Sequence, residues 1–182
     1  RWTAPIVHVK EVPAGFPVGY GSTWRAPARG PGRSRPTRLA LVPVGYADGY
    51  PRALGNVAKV GLTGRRWERS AVGGGVDESS AKQVYAPVVG RVSMDQITVD
   101  VTDVPEEWCA VGMEVELAGR DRAAPHYLPR LAEQAGSVTH ELLCRICPRV
   151  ERVYKYPAAV GGASASGAEG RGGIGGASAV AM

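Results

Sequence analysis

The sequence predicts a mainly β domain, an antiparallel β-barrel or sandwich-like fold carrying one small helical pair and a disordered C-terminal tail. Three observations predict it. Between residues 4 and 156, short stretches of period-two alternation or dense β-branched character recur, separated by Gly- and Pro-bearing turns. Helical periodicity appears only late, between residues 128 and 146. After Pro157 the chain is almost entirely Ala, Gly and Ser, with only Glu169 and Arg171 charged. Such a segment buries too little surface to offset its chain entropy. No repeat of 20–50 residues is visible.

In chain order, residues 4–12 (APIVHVKEV) alternate apolar and polar as a half-buried strand does. Pro13-Ala14-Gly15 turns the chain, and a second short strand leads through Val18 into Gly19-Tyr20-Gly21. Residues 27–37, rich in Pro, Gly and Arg, read as an exposed loop. Residues 38–46 (RLALVPVGY) are a continuous apolar run, expected of a core strand, with Pro43 marking an edge or bulge. Residues 57–63 (VAKVGLT) alternate, whereas 64–83 turn polar around Gly73-Gly74-Gly75 and read as a loop insertion. Dense strands are expected over 86–93 (APVVGRVS), 96–101 (QITVDV) and 111–119 (VGMEVELAG). Leu128, Leu131, Ala132 and Ala135 share a helical face that Gly136 ends. Thr139 is placed to cap a second helix that turns Leu142, Leu143 and Ile146 inward. Residues 149–156 (RVERVYKY) return to strand alternation, so a domain over 1–157 precedes a tail over 158–182.

Composition narrows the function classes. Of 182 residues, 44% are apolar and 21% charged, enough for a packed core. No apolar run approaches the roughly 20 residues that cross a bilayer, and no basic-then-apolar start resembles a signal peptide. The formal charge is +5, and its basic excess gathers at Arg25, Arg29, Arg33, Arg35 and Arg38. These alternate with Gly and Pro rather than with stacking aromatics, which describes a solvated loop better than a nucleic-acid surface. The three cysteines, Cys109, Cys144 and Cys147, close no disulfide framework and suit a reducing cytoplasm. A zinc site can be drawn from them with His140, but the lone CxxC has no second ligand pair.

The chain has no GxGxxG opening a helix, no Walker loop, no HExxH and no GxSxG. What stands out is tyrosine flanked by glycine, in Gly19-Tyr20-Gly21 and in Gly45-Tyr46-Ala47-Asp48-Gly49-Tyr50. Glycine there lets the backbone bend sharply and a ligand approach closely; the same residues are also ordinary turn formers. In Val89-Gly90-Arg91-Val92-Ser93-Met94-Asp95-Gln96, a carboxylate interrupts two strongly apolar strands, as a turn-capping Asp does.

These pieces, in order, resemble the C-terminal domain of bacterial alanine racemases. The likeness runs from Val18-Gly-Tyr-Gly-Ser-Thr23 through Pro43-Val-Gly-Tyr-Ala-Asp-Gly-Tyr-Pro-Arg52 and Val89–Gln96 to Thr139-His-Glu141 and Pro148-Arg-Val150. It covers about residues 4–156, and GYADGYPR with GRVSMDQ is a specific pair.

The resemblance implies a homodimeric enzyme that interconverts L- and D-alanine and supplies D-alanine for peptidoglycan. Pyridoxal 5'-phosphate would be held on a lysine of an N-terminal α/β barrel, and the C-terminal domain of one subunit would complete the site of the other. By resemblance, Tyr20 takes the catalytic tyrosine's place, and Met94 that of the methionine whose backbone lies at the substrate carboxylate. Tyr46, Arg52 and Arg91 line the substrate's way in, and Asp95 orders the turn after Met94. Racemisation takes a proton from one face of a carbon and returns one to the other, which favours two opposed groups. A phenol, with its ordinary pKa of about 10, needs positive charge nearby to serve as one of them near neutrality.

The sequence departs from the pattern in three respects. His140 stands where a tyrosine usually contacts the cofactor phosphate; it can still donate a hydrogen bond, or serve only structurally. The 64–83 region is longer than the usual turn. No segment reads as a (β/α)₈ barrel, which takes about 250 residues, and Lys10, in an alternating strand, lacks the cofactor-lysine context. The expectation is therefore a C-terminal fragment or truncated gene product, inactive alone. The competing expectation is a non-catalytic β module, and a close variant is a racemase for serine or a broader amino-acid set.

Overall fold

The computed structural model describes residues 1–28, 36–67 and 83–154, together with the backbone of residues 178–180. Its strands are β1 (Trp2–Pro5), β2 (His8–Val12), β3 (Pro17–Val18), β4 (Trp24–Arg25), β5 (Thr37–Val42), β6 (Lys59–Arg66), β7 (Val84–Val89), β8 (Ile97–Asp100), β9 (Met113–Ala118), β10 (Glu151–Val153) and β11 (Ser178–Val180). Two helices, α1 (Leu128–Gln134) and α2 (Thr139–Arg145), lie between β9 and β10. Nine strands form one sheet in the order β10-β11-β1-β9-β6-β7-β8-β5-β2, and β3 pairs with β4 as a separate ribbon.

The expected strand over 4–12 is two strands. β1 pairs with β9 and β2 with β5, although only Ile6 and Val7 separate them. The Ile6 N–H bonds the Met113 carbonyl at 2.9 Å, and the Val7 N–H bonds the Leu41 carbonyl at 2.9 Å. The chain thus changes partners between adjacent residues, as a strand does at the corner between two sheets. β7 does the same opposite, pairing with β6 over Val84–Pro87 and with β8 over Val88–Val89. These two corners curl the sheet into a barrel, with Ile6, Val42, Val60, Leu62, Ile97, Val99, Val115 and Leu117 buried inside. The helices cover one flank through Leu131, Ala132, Leu142 and Ile146, the face their spacing predicts.

Three local expectations are corrected. Residues 64–66 belong to β6 rather than to a loop: Gly64 adopts φ +72° at a register shift, a bulge that lets the strand resume pairing at Arg66 with Met113. A Cβ at Gly64 would also sit 2.6 Å from the Trp108 indole nitrogen. Arg38 is not in a solvated loop but buried in β5, where its guanidinium donates to the Val104 carbonyl at 2.6 Å. Thr139 is the first residue of α2, not its cap; Val138 holds the cap position without a side-chain bond, and the Ser137 hydroxyl reaches the Glu141 carboxylate instead. Of the insertion expected at 64–83, residues 68–82 lie outside the described residues, as does the tail over 158–182 apart from β11.

A satellite cluster of Val12, Val18, Ala26, Leu39 and Val89 pins the β3–β4 ribbon to the barrel. Burial of such side chains contributes about 1.5–3 kcal/mol each. The ribbon carries residues 19–23 at its tip, so this cluster anchors the base of the segment that bears Tyr20.

Candidate functional site

Three turns converge at one end of the barrel, and each carries a motif singled out in the sequence. The first, Tyr20–Ser22, is a single 3-10 turn closed by the Ser22 N–H on the Gly19 carbonyl at 3.2 Å. Its backbone lies against the Gly90-Arg91 segment: a Cβ on Gly19 would stand 3.2 Å from the Arg91 nitrogen. A Cβ on Gly21 would meet the Arg91 guanidinium carbon at 3.5 Å. Positive charge therefore borders the Tyr20 turn within this chain. Tyr20 itself is 72% exposed, a rare state for an aromatic ring that only packs.

The second turn, Tyr46–Asp48, sits directly on the third. The Tyr46 N–H donates to the Ser93 carbonyl at 3.0 Å and the Ala47 N–H to the Met94 carbonyl at 3.0 Å. Gly45 is at this contact because nothing larger fits: a Cβ there would be 2.2 Å from the Met94 oxygen. The Arg52 guanidinium lies 5.7 Å from the centre of the Tyr46 ring, a cation–π distance. The third turn is closed by the Ser93 N–H and hydroxyl, both on the Gln96 carbonyl, at 3.1 and 2.7 Å. Met94 is 53% exposed, and its N–H meets no acceptor among the described residues. A backbone donor without an acceptor among the described residues is suited to a carboxylate.

A carboxylate–guanidinium pair that the sequence reading did not single out locks these turns. Asp48 accepts from the Gly45 N–H at 2.8 Å and from Arg149 Nε at 2.7 Å, and Arg149 also reaches Asp95 at 3.6 Å. The Asp48 hydrogen bond and charge hold the Arg149 guanidinium pKa above its ordinary value. The Asp48 carbonyl further accepts from the Cys147 N–H at 3.0 Å, fastening the end of α2 to the site. Asn56 was missed as well. Its left-handed backbone (φ +62°) presents Oδ1 to the Gly90 N–H at 2.6 Å and Nδ2 to the Thr23 hydroxyl at 3.1 Å. The dipeptide Gly55-Asn56, a turn signal, and the Arg after Pro148 were the available clues.

The structure thus brings Tyr20, Tyr46, Arg52, Arg91, Met94 and Asp95 onto adjoining turns. His140 is exposed on α2 and takes no part in the contacts that join them. No group of three His, Cys, Asp or Glu among the described residues is placed to hold a metal ion. A hollow of about 730 Å³ lies elsewhere, between the helices and β1, lined by Trp2, Tyr127, Leu128, Leu143 and Ile146 among others. It contains none of the convergent turns, so the turns define the candidate site. The described cluster also has no lysine: Lys10 stands on β2, 4.8 Å from the Phe16 ring centre, and Lys59 on β6.

The barrel thus presents on adjoining loops an exposed phenol, a basic fringe and, among the described residues, a backbone amide without an acceptor. Residues 1–154 match the family described as alanine racemase, C-terminal domain, and the chain belongs to that family. It is 38% identical over 154 residues to the alanine racemase of Halothermothrix orenii, covering 85% of this chain and 33% of that protein. It is 36% identical over 149 residues to the catabolic alanine racemase of Pseudomonas putida, covering 82% of this chain and 32% of the relative. Among solved structures, the biosynthetic alanine racemase of Pseudomonas aeruginosa superposes with a TM-score of 0.62 at 35% identity, over 85% of this chain and 34% of the other. The Bartonella henselae alanine racemase, solved with covalently bound pyridoxal phosphate, gives 0.62 at 30% identity, over 84% and 34%. The chain spans about a third of the length of the curated relatives it matches.

Proposed function

We propose that this chain is the C-terminal part of an alanine racemase and that Tyr20 moves a proton at one face of the substrate's α-carbon. The observation that carries the reading is the joint placement of Tyr20 and Met94. The exposed phenol stands on a turn packed against Gly90-Arg91, three residues before Met94, whose N–H has no acceptor among the described residues.

In this reading the Met94 N–H binds the substrate carboxylate, which fixes the α-carbon relative to the Tyr20 hydroxyl. Arg91 borders the Tyr20 turn and brings a positive charge beside it. Tyr46 and Arg52, stacked on one another, line the approach, and Asp95 steadies Arg149 at the turn. His140 is the candidate contact to the cofactor phosphate. Pyridoxal phosphate, when bound, is the electron sink that makes the α-proton acidic. The opposite face needs a second base; a lysine of an α/β barrel elsewhere in the full-length protein would supply it and anchor the cofactor. A homodimer sharing its sites would bring the two together, in a cytoplasm where D-alanine is made for peptidoglycan.

The test uses the full-length protein, whose existence is checked by reading the coding DNA upstream of Arg1 for an in-frame barrel. Tyr20→Phe is expected to lower kcat/KM by about 10²–10⁴-fold. The loss must be equal in both directions, because the equilibrium constant of racemisation is one. One enantiomer should nevertheless keep exchanging its α-proton with deuterated solvent, since the opposite base remains. Unchanged racemisation by the variant would discredit the role of Tyr20.

A further inference from the structure

We infer that Asn56 is a positioning residue for Tyr20, an inference that rests on the reading of Tyr20 just given. The catalytic phenol stands on a three-residue turn at the tip of a two-stranded ribbon, and β3 and β4 contribute only two residues each. So short a ribbon does not by itself fix its tip; that requires a tie to the barrel. On the β3 side the tie is steric, since a Cβ on Gly90 would meet the Val18 carbonyl at 2.9 Å. On the β4 side a direct polar tie comes from the Asn56 carboxamide. It holds the Gly90 N–H with its oxygen and the hydroxyl of Thr23 with its nitrogen, and Thr23 is the residue that ends the Tyr20 turn. One planar group thereby sets the separation between the turn that carries Tyr20 and the segment that leads to Arg91 and Met94.

Asn56 suits this place for two reasons. Its backbone is left-handed, a conformation asparagine tolerates better than most residues. Its own segment is anchored by the Val57 and Ala58 N–H groups, both on the buried Leu54 carbonyl at 3.2 and 3.0 Å. The tie therefore runs from the barrel core to the phenol in three steps, from Leu54 to Asn56, to Thr23 and to Tyr20.

The experiment is a double-mutant cycle in the full-length, cofactor-loaded protein. Asn56→Gly keeps the backbone conformation and deletes both hydrogen bonds. Thr23→Val deletes only the bond to the turn. Each is expected to lower kcat by about 10-fold to 100-fold, the cost of a small misplacement, with the cofactor's visible spectrum and the melting temperature little changed. Asn56→Asp should recover most of the rate, because two carboxylate oxygens can accept from the Gly90 N–H and from the Thr23 hydroxyl, which then turns to donate. In a Tyr20→Phe background, Asn56→Gly should cost nothing further. An unaffected Asn56→Gly, a full additional loss in the Tyr20→Phe background, or no recovery in Asn56→Asp would each overturn the inference. An unimpaired Tyr20→Phe single variant would instead remove the reading on which it rests, and the inference with it.

Discussion

Asp48 shows how a single side chain can decide the geometry of the site. Its two oxygens hold different parts of the chain: one the Gly45 N–H three residues back, the other Arg149, a hundred and one residues on. Its side chain is only 8% exposed, whereas that of Arg149 is 45% exposed. The pair is therefore asymmetric. Asp48→Ala strands a buried backbone donor and releases the end of β10's approach from the Tyr46 turn, at a cost of about 2–3 kcal/mol. Arg149→Ala should cost less, because water can reach the carboxylate from the side the guanidinium vacates. Urea denaturation of the two variants checks the order; an Arg149→Ala loss exceeding that of Asp48→Ala would contradict it. The sequence exposes Asp48 only as one letter of a motif, because its partner is brought to it by the fold and not by spacing. Asn56 was hidden for the same reason, whereas Tyr20, Tyr46 and Met94 stand out because each lies inside a contiguous, glycine-marked stretch, their roles being what the resemblance implies.

At the scale of elements, the contact between the Tyr46–Asp48 turn and the Ser93–Met94 turn depends on the absence of a side chain. Gly45 has an extended backbone (φ −137°, ψ −164°) that any residue can adopt, so its role is space rather than flexibility. The atom that a new methyl would strike is the Met94 carbonyl oxygen, which is backbone and itself bonded to Ala47. Gly45→Ala should therefore separate the two turns and cost at least the 1–3 kcal/mol typical of overpacking. Thermal melting measures that loss, and a melting temperature equal to the parent's would show that the turns can part without penalty. The elements themselves were largely readable. Dense apolar runs, with alternation over 57–63, located β5 to β9, and the 3.6-residue spacing of Leu128, Leu131 and Ala132 located α1. The errors share a cause. The strand over 4–12 was read as one because alternation carries no information about partners, and the break at Ile6-Val7 is a change of partner. Thr139 was misread because Ser137 and Glu141 close the start of α2 between themselves.

For the whole molecule, the strand order of the curled sheet places β9 between β1 and β6, so a charge on β9 is felt by the staves on both sides. Glu116 is that charge. It faces Thr3 on β1 and Gly61 on β6, accepts from Gln83 at 3.2 Å, and lies 3.6 Å from Nε2 of His126, a side chain that is 99% covered. Burial alone would push its carboxyl pKa up. The His126 contact, then the positive charge of Arg1, outweigh that and leave it below the ordinary carboxylate value. A carboxyl held lower in the folded than in the unfolded chain stabilises fully above the unfolded pKa, about 4.3, and loses that contribution as pH falls through the folded value. Stability should accordingly decline below about pH 4.3, beginning with the three staves that meet at Glu116. Glu116→Gln keeps the shape and removes the titration, so its urea midpoint should be lower at neutral pH yet depend less on pH across the acid range. An acid limb as steep in Glu116→Gln as in the parent would place the titrating group elsewhere in the barrel.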